Sequence, residues 1–226
     1  MDNIDKIFVL SKHHRDFLPD IPDDKFFITS NGLNLEDVSK VKRVQSRLVY
    51  GSSYDRGLEH LLRMWPDIKK AIPDATLNIF YGWDTFDKMY WNNPERQAWK
   101  LKMDKMMGQE GITHLGRINH AEVAQQMAQS DVWAYPTHFD EISCITAMKA
   151  QTYGAIPVYI NKAALKETCQ YGLAIEGDIY DDETKEVYKQ RLIDLLQSIK
   201  TRVDIRQAMQ VDFTWKKVAK EWSKIL

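Results

Sequence analysis

The sequence lacks an excess of charge of either sign, long hydrophobic runs and a cysteine framework. Its 226 residues include 31 Lys and Arg and 32 Asp and Glu, for a net charge of −1. This balance provides no polybasic surface, so we expect no nucleic-acid partner. The opening MDNIDKIFVL is acidic and its apolar run is short, which argues against a signal peptide or a membrane span. The two cysteines, Cys144 and Cys169, stand in apolar contexts, which favours a reduced, cytoplasmic protein over a disulfide scaffold.

Several catalytic and binding motifs are also missing. The six histidines do not have the spacing of a zinc site, and neither a Walker motif nor a GxGxxG fingerprint occurs. We find no Ser–His–Asp arrangement, internal repeat or low-complexity tract. Metalloenzymes with a zinc centre, P-loop enzymes and repeat proteins are therefore not indicated.

What is present is an alternation of apolar strands and amphipathic helices. The pattern predicts strands at 7–10, 26–29, 48–51, 75–81, 111–115, 132–135, 156–160 and 172–175, and helices from Asp55 and at 94–107, 120–129, 143–153, 183–199, 203–210 and 213–225. In the first of these helices Pro66 is expected to kink or split the chain, and Asp55 to cap it. This alternation predicts an α/β fold: a Rossmann-like parallel sheet with helices on both faces.

The most informative stretch is AYPTHFDEISCITAMKAQTYGAIPVYI, Ala134 to Ile160. It predicts a strand end, a loop that contains Glu141, a helix that begins near Ser143 and a further strand. A helix N-terminus has unpaired N–H groups and a partial positive charge that suit a phosphate. A carboxylate beside such a cradle suggests a ligand with phosphate at one end and hydroxyls at the other, such as a nucleotide sugar. An ordinary loop and capped helix start is the alternative.

Other loops should meet this one, because parallel sheets bind ligands at the carboxyl ends of their strands. The candidates are Gly51–Gly57, Gly82–Asp84 and Gly116–Asn119. Arg56 lies in a first helical turn, where a cation is unfavourable for the helix dipole. It therefore faces an anion such as a pyrophosphate, or is a solvated surface charge, or pairs with Asp55. Trp83 either stacks on a base or packs.

With these motifs in order, the chain resembles the C-terminal, donor-binding half of family 4 retaining glycosyltransferases of the GT-B fold. The segments LSKHHRDFL and DKFFITSNGLN resemble the end of that family's N-terminal domain and the approach to its hinge. RLVYGSSYDRGLEHLLRMWPDIKKAIPDATLNIFYGW resembles the first two βα units of the donor domain, and ITHLGRINHAEVAQQMAQSDVWAYPT the nucleotide-base loop and the strand after it. FTWKKVAKEWSKIL resembles the closing helix. The resemblance implies a remnant of the N-terminal domain at 1–34, a linker at 35–46 and a nucleotide-sugar-binding domain at 47–226.

The resemblance also implies roles for individual residues. Glu141 matches the glutamate that holds the donor sugar and supports the oxocarbenium ion, and Arg56 the basic residue that neutralises the leaving pyrophosphate. The amides of Cys144 and Ile145 match the phosphate cradle, and the backbone of Arg117–Ile118 the segment that reads the base. The implied donor-binding residues are Gly51, Ser52, Ser53, Gly82, Trp83, Arg117, Ile118, Ser143, Cys144, Ile145 and Lys149. The resemblance implies a UDP-sugar or GDP-sugar as the donor, and neither a metal nor another cofactor is expected, because Arg56 and the helix supply positive charge.

Three departures from the family pattern stand out. Lys149 replaces the second glutamate of the Glu-x7-Glu motif, and lysine cannot accept hydrogen bonds from the ribose hydroxyls. Gly51 stands where an arginine usually precedes the basic residue by five positions. The acceptor-binding half is almost wholly absent, so we expect that domain to act in cis or in trans. The apolar residues of segment 1–34, which are Ile7, Phe8, Val9, Phe26 and Phe27, would then favour a homodimer through this segment.

Two other interpretations remain open. A degenerate module that holds a nucleotide sugar or a partner chain without catalysis would explain Lys149 and the missing half. A flavodoxin-like domain that binds another phosphorylated ligand would explain the alternation but not the order of the motifs. For location, the expectation is cytoplasmic, with peripheral association at the inner membrane face left open.

Overall fold

The main sheet has six parallel strands. In the computed structural model, which describes residues 4–225, these are β3 (Arg47–Tyr50), β4 (Thr76–Phe80), β5 (Ile112–Gly116), β6 (Val132–Tyr135), β7 (Ile156–Ile160) and β8 (Leu173–Ile175). Their order in the sheet is β5-β4-β3-β6-β7-β8. The strand order therefore reverses between β3 and β6, where Leu48 pairs with Val132 and Val49 with Trp133. In such sheets ligands bind in the crevice at this reversal, beyond the carboxyl ends of the strands.

The central strands are buried on both faces. All residues of β6 and β7 are buried, and so are Leu48, Val49 and Tyr50 of β3. Strands covered by helices on both sides are expected to be continuously apolar, as these are. The predicted Rossmann-like α/β fold is confirmed.

Helices connect and cover the strands of this sheet and of a smaller N-terminal sheet. They are α1 (Lys12–Arg15), α2 (Leu58–Ala71), α3 (Asp84–Tyr90), α4 (Pro94–Met107), α5 (His120–Gln129), α6 (Ile145–Tyr153), α7 (Leu165–Thr168), α8 (Asp182–Gln197), α9 (Ile199–Ala208) and α10 (Trp215–Trp222). Helix α2 contacts α4 and α8, and α5 contacts α6. The short helices α3 and α7 were not predicted, and α6 begins two residues later than the predicted Ser143.

Helix α2 corrects two predictions. Its apolar face, Leu58, Leu61, Leu62, Trp65 and Ile68, is buried as expected. However, Pro66 does not split it, because the helix runs unbroken from Leu58 to Ala71. Asp55 is not its cap either: residues 54–56 form a short 3₁₀ turn, and Gly57 stands at the N-cap with a φ of 116°.

The N-terminal segment forms a separate small sheet. Strand β1 (Ile7–Val9) pairs in parallel with β2 (Phe26–Ile28). Val9 is buried, and Phe8 packs edge-on against Phe27 and against Trp222 of α10. Phe8 and Ile28 remain exposed, so the predicted homodimer through residues 1–34 stays a prediction, and residues 1–3 of that segment lie outside the described residues.

Residues 35–46 contain no helix or strand, and their assignment as a linker stays a prediction. They are nevertheless attached, since Val38 and Val41 pack on the main core. Within residues 4–225, none of the helices is long and apolar enough to cross a membrane.

Candidate functional site

The candidate site lies where the loops after β3 and β6 meet. Gly57 makes this close approach possible, because a Cβ there would lie 2.3 Å from the carbonyl oxygen of Pro136. The positive φ of Gly57 is also one that residues with a side chain rarely adopt. Glycine at this position therefore brings the loop that carries Arg56 against the loop that carries Glu141.

Glu141 is held in place by neighbours from both loops. It is buried, with 6% of its surface exposed. The hydroxyl of Tyr135 donates a hydrogen bond of 2.7 Å to Glu141 Oε1 and lies 3.2 Å from Ser52 Oγ. Arg56 Nη1 donates to the same carboxylate at 3.1 and 3.3 Å. A buried carboxylate requires such partners, and here they fix its orientation.

Arg56 is oriented by a second contact. Its guanidinium carbon lies 3.9 Å above the ring of Phe139, at the distance of a cation–π interaction. Desolvation lowers the pKa of Arg56, but the charge and hydrogen bond of Glu141, together with Tyr135 and Tyr81, outweigh this effect and hold the pKa above its ordinary value. The site therefore carries a fixed positive charge next to a fixed carboxylate. The predicted alternative that Arg56 pairs with Asp55 is wrong, because Asp55 bonds to Arg96 and Ser53 instead.

The N-terminus of α6 lies beside this pair. Cys144 is its N-cap residue, and no side chain forms a capping hydrogen bond there. Thr146 in the first turn donates to the carbonyl oxygen of Gly51 at 3.1 Å, which fixes the helix start to the β3 loop. Burial raises the pKa of the Cys144 thiol to about 12, so this thiol stays protonated and is not a nucleophile at neutral pH.

Three of the remaining predicted residues, Gly82, Trp83 and Arg117, lie in the loops after β4 and β5. Gly82 lies against Arg117, since a Cβ on Gly82 would be 3.1 Å from Arg117 Cβ, so the loops after β4 and β5 adjoin as predicted. Trp83 packs edge-on against Tyr54 and Phe86 and its indole N–H bonds to Asp104, so it is engaged in packing, and stacking on a base stays a prediction.

Lys149 does not point away into solvent. Its Nζ lies 3.3 Å from His120 Nδ1 at the start of α5, directly after the Arg117–Ile118 segment. Burial lowers the pKa of Lys149, which a nearby Glu36 only partly offsets. Ile118 is half-buried and packs on the core, which leaves its backbone as the element able to contact a ligand.

The structure reveals residues that sequence reasoning missed. Tyr135 bridges Ser52 and Glu141, and the only available signal was its position as the last residue of a strand at the ligand-binding edge. Asn31 Nδ2 donates to Ser143 Oγ at 2.8 Å, and Ser11 Oγ donates to the carbonyl oxygen of Ile142 at 2.8 Å. These two long-range bonds had no sequence signal. Within residues 4–225, no cluster of three or more His, Cys, Asp or Glu is placed to hold a metal ion.

Comparisons with solved structures agree with the fold. S. aureus TarM, crystallised as a mutant with fondaparinux, α-GlcNAc-glycerol and UDP, has a TM-score of 0.71 and 12% identity, and the match covers 99% of this chain and 44% of TarM. Pneumococcal O-GlcNAc transferase GtfA, with UDP and GlcNAc, has a TM-score of 0.70 and 19% identity over 99% of this chain and 45% of GtfA. Anabaena HepE, with UDP and glucose, has a TM-score of 0.71 and 12% identity over 98% of this chain and 62% of HepE. The chain thus spans about half the length of these proteins.

No curated protein matches the chain significantly. A family model described as "Glycosyl transferases group 1" matches residues 48–211, which is most of the chain and includes Arg56, Glu141 and the start of α6. The chain therefore belongs to the group 1 glycosyltransferases, with the fold of a GT-B Rossmann-like domain.

Proposed function

We propose that this chain is the donor-binding part of a retaining glycosyltransferase that uses a UDP-sugar or a GDP-sugar. The observation that carries the proposal is the convergence, at the strand-order reversal, of Arg56, Glu141 and the uncapped N-terminus of α6. A diphosphate accepts hydrogen bonds and carries negative charge, and it matches a guanidinium beside a helix N-terminus. The UDP in the TarM, GtfA and HepE structures makes UDP the first nucleotide to test.

Each residue has a distinct role in this proposal. The α6 amides and Arg56 hold the diphosphate and stabilise the charge that develops on the leaving group, so a divalent metal is dispensable. Glu141 accepts hydrogen bonds from the sugar hydroxyls and stabilises positive charge at the anomeric carbon. Tyr135 orients Glu141 through its 2.7 Å hydrogen bond.

The acceptor side is proposed to come from a further domain, in cis or in trans. Closure of two domains normally supplies proximity and excludes water, and this chain spans about half the length of TarM and GtfA. The isolated chain should therefore bind the donor without transferring its sugar, apart from slow hydrolysis. The intact Glu141–Arg56 pair favours a glycosyltransferase domain over a module that binds a nucleotide sugar without catalysis.

A thermal-shift panel with EDTA tests the proposal. UDP, GDP and ADP, with and without attached sugars, are compared at saturating concentration. A nucleotide at a hundred times its dissociation constant should stabilise the protein by about 2.7 kcal/mol. Calorimetry that shows no heat with any nucleotide at millimolar concentration would contradict nucleotide binding. Robust transfer from labelled donor to sugar or lipid acceptors by the isolated chain would contradict the need for a second domain.

A further inference from the structure

Asp55 and Arg56 are neighbours in the sequence but have different partners in the fold. Both belong to the 3₁₀ turn that follows β3. Arg56 bonds to Glu141, whereas the Asp55 carboxylate accepts hydrogen bonds from Ser53 Oγ at 2.7 Å and from Arg96 Nη2 at 3.2 Å. Two adjacent residues of opposite charge are therefore kept from pairing with each other.

Arg96 is held against Asp55 by α3 and α4. It lies in the first turn of α4, where a cation is unfavourable for the helix dipole and an anionic partner offsets this effect. Its guanidinium carbon lies 4.4 Å from the centre of the Tyr90 ring, 5.4 Å from that of Phe86 and 5.5 Å from that of Trp99. Only 33% of the Arg96 side chain is exposed, so these rings fix the guanidinium and exclude part of the water from its bond to Asp55.

The Asp55 carboxylate would act on Arg56 if Arg96 were absent. Consecutive Cα atoms are about 3.8 Å apart, well within the screening length of about 10 Å at about 0.1 M salt. Asp55, Arg56 and Arg96 also border the same cavity of about 400 Å³. The side chain of Asp55 is 32% exposed and that of Arg56 34%, so water would weaken an attraction between them only in part. An unpaired Asp55 would thus compete with Glu141 for Arg56.

We propose that Arg96 is a positioning residue of the donor site, which neutralises Asp55 and thereby keeps Arg56 on Glu141. Its effect on the donor rests on the proposed function, in which Arg56 binds the diphosphate. Without Arg96, the guanidinium of Arg56 divides its time between two carboxylates, and the negative charge of Asp55 also repels the diphosphate. Both effects weaken donor binding, and both act through the charge of Asp55.

The first test measures UDP affinity by calorimetry with and without the Asp55 charge. Arg96→Met retains a side chain that packs on the aromatic rings but removes the cation. It should weaken UDP binding about fivefold if Arg56 then spends about one fifth of its time in the site. The same substitution in an Asp55→Asn protein should weaken binding less than about twofold, because no charge is left to attract Arg56.

Two further variants separate the charge of Arg96 from its shape and its helix. Arg96→Lys keeps the charge and should lose less UDP affinity than Arg96→Met. Lys102→Met is the matched control, since it removes from α4 a cation that pairs with Glu59 at 2.6 Å, and it should leave UDP affinity unchanged. Circular dichroism checks folding, and Arg96→Gln, which is also neutral, replaces Arg96→Met if that protein does not fold.

A second test needs no nucleotide. The coupling free energy between Arg56 and Glu141 is measured by urea unfolding of Arg56→Met, Glu141→Gln and the double variant, in the wild type and in Arg96→Met. The coupling should fall to about half or less in Arg96→Met and return when Asp55→Asn is added. If Arg96 only stabilised the helices, neither this coupling nor the UDP affinity would respond to Asp55→Asn.

Two outcomes would overturn the proposal. One is a UDP affinity that Arg96→Met leaves unchanged, or lowers equally with and without the Asp55 charge. The other is a coupling between Arg56 and Glu141 that is the same in Arg96→Met as in the wild type. If the wild type binds no UDP, the donor function fails, and the coupling alone decides the role of Arg96.

Discussion

Arg56 and Glu141 form an ion pair at 3.1 Å across the loops that follow β3 and β6. Both residues are assigned to the donor, one to its diphosphate and the other to its sugar. Because the two side chains contact each other, each must bond to the donor as well as to the other when the donor binds. The pair therefore holds both side chains in the site before the donor arrives, which lowers the entropic cost of ordering them.

Removal of either partner should separate the two roles. Arg56→Ala should weaken UDP binding by roughly 1.5–3 kcal/mol, because a charged hydrogen bond is lost. Glu141→Gln should leave UDP affinity unchanged or slightly higher, since Arg56 is released, but should weaken binding of the UDP-sugar. Calorimetry with UDP and UDP-sugar measures both effects. Equal losses of the two ligands in both variants would show that this division of roles is wrong.

Lys149 is the next test of the site. Lys149→Glu should tighten UDP binding, because a carboxylate near His120 and the base-reading segment would accept hydrogen bonds from the ribose hydroxyls. Lys166→Glu makes the same charge change at an exposed position of α7 and serves as the control. Titration of both variants with UDP, followed by tryptophan fluorescence, provides the measurement. Weaker or unchanged binding by Lys149→Glu would mean that Lys149 does not face the ribose.

The N-terminal segment should influence the site through Asn31. Its side chain bonds to Ser143, two residues after Glu141. Asn31→Ala should weaken UDP-sugar binding by about 0.5–1.5 kcal/mol, the usual value of one hydrogen bond. Asn34→Ala, at an exposed position nearby, should have no effect. A loss of thermal stability in Asn31→Ala without a loss of donor affinity would instead indicate a purely structural bond.

Stability away from the site should depend on Asp131. Its side chain is 4% exposed, accepts from the backbone N–H of Ser46 at 2.7 Å and pairs with Arg202 and Arg206 of α9. Asp131→Ala leaves a buried arginine unpaired, so the free energy of unfolding should fall by about 3–5 kcal/mol. Asp204→Ala, which removes an exposed carboxylate from α9, should change the free energy of unfolding little. Urea unfolding followed by circular dichroism measures the difference, and comparable effects of the two changes would contradict the role of this network.

Stability should also fall on acidification because of His60. Burial, and then the neighbouring His138, lower its pKa from 6.5 to about 4 in the folded protein. Between these values the unfolded chain binds more protons at this residue, so the contribution of His60 to stability falls as the pH drops from about 6.5 to about 4 and changes no further below that. The loss should be on the order of 1 kcal/mol, below the full linkage value because the ring is partly solvated. Urea unfolding at pH 7 and pH 5 should show a smaller loss for His60→Gln than for wild type, and an equal loss would exclude His60 as the cause.

The fold was largely predictable because it depends on local pattern. The apolar runs at β3, β6 and β7 and the stripe of α2 follow the periods of buried strands and an amphipathic helix. The predictions that failed were local details. Asp55 is not the cap of α2, because it lies within the 3₁₀ turn Tyr54–Arg56, and the following Gly57 is the cap. The region around Pro66 stayed helical because the burial of Leu62, Trp65 and Ile68 outweighs the lost hydrogen bond.

The candidate site was also only partly predictable from local pattern. The sequence by itself determined which loops meet, since parallel strands place their carboxyl ends at one edge, and it pointed to Glu141, Arg56 and the start of α6. Only the tertiary structure decided how they contact one another: that Arg56 pairs with Glu141 rather than Asp55, that Tyr135 orients the carboxylate, and that Ser11 and Asn31 hold the loop after it. Those contacts join residues that are up to 131 positions apart. Side-chain partners at such separation are set by packing of the whole chain, which no local periodicity encodes.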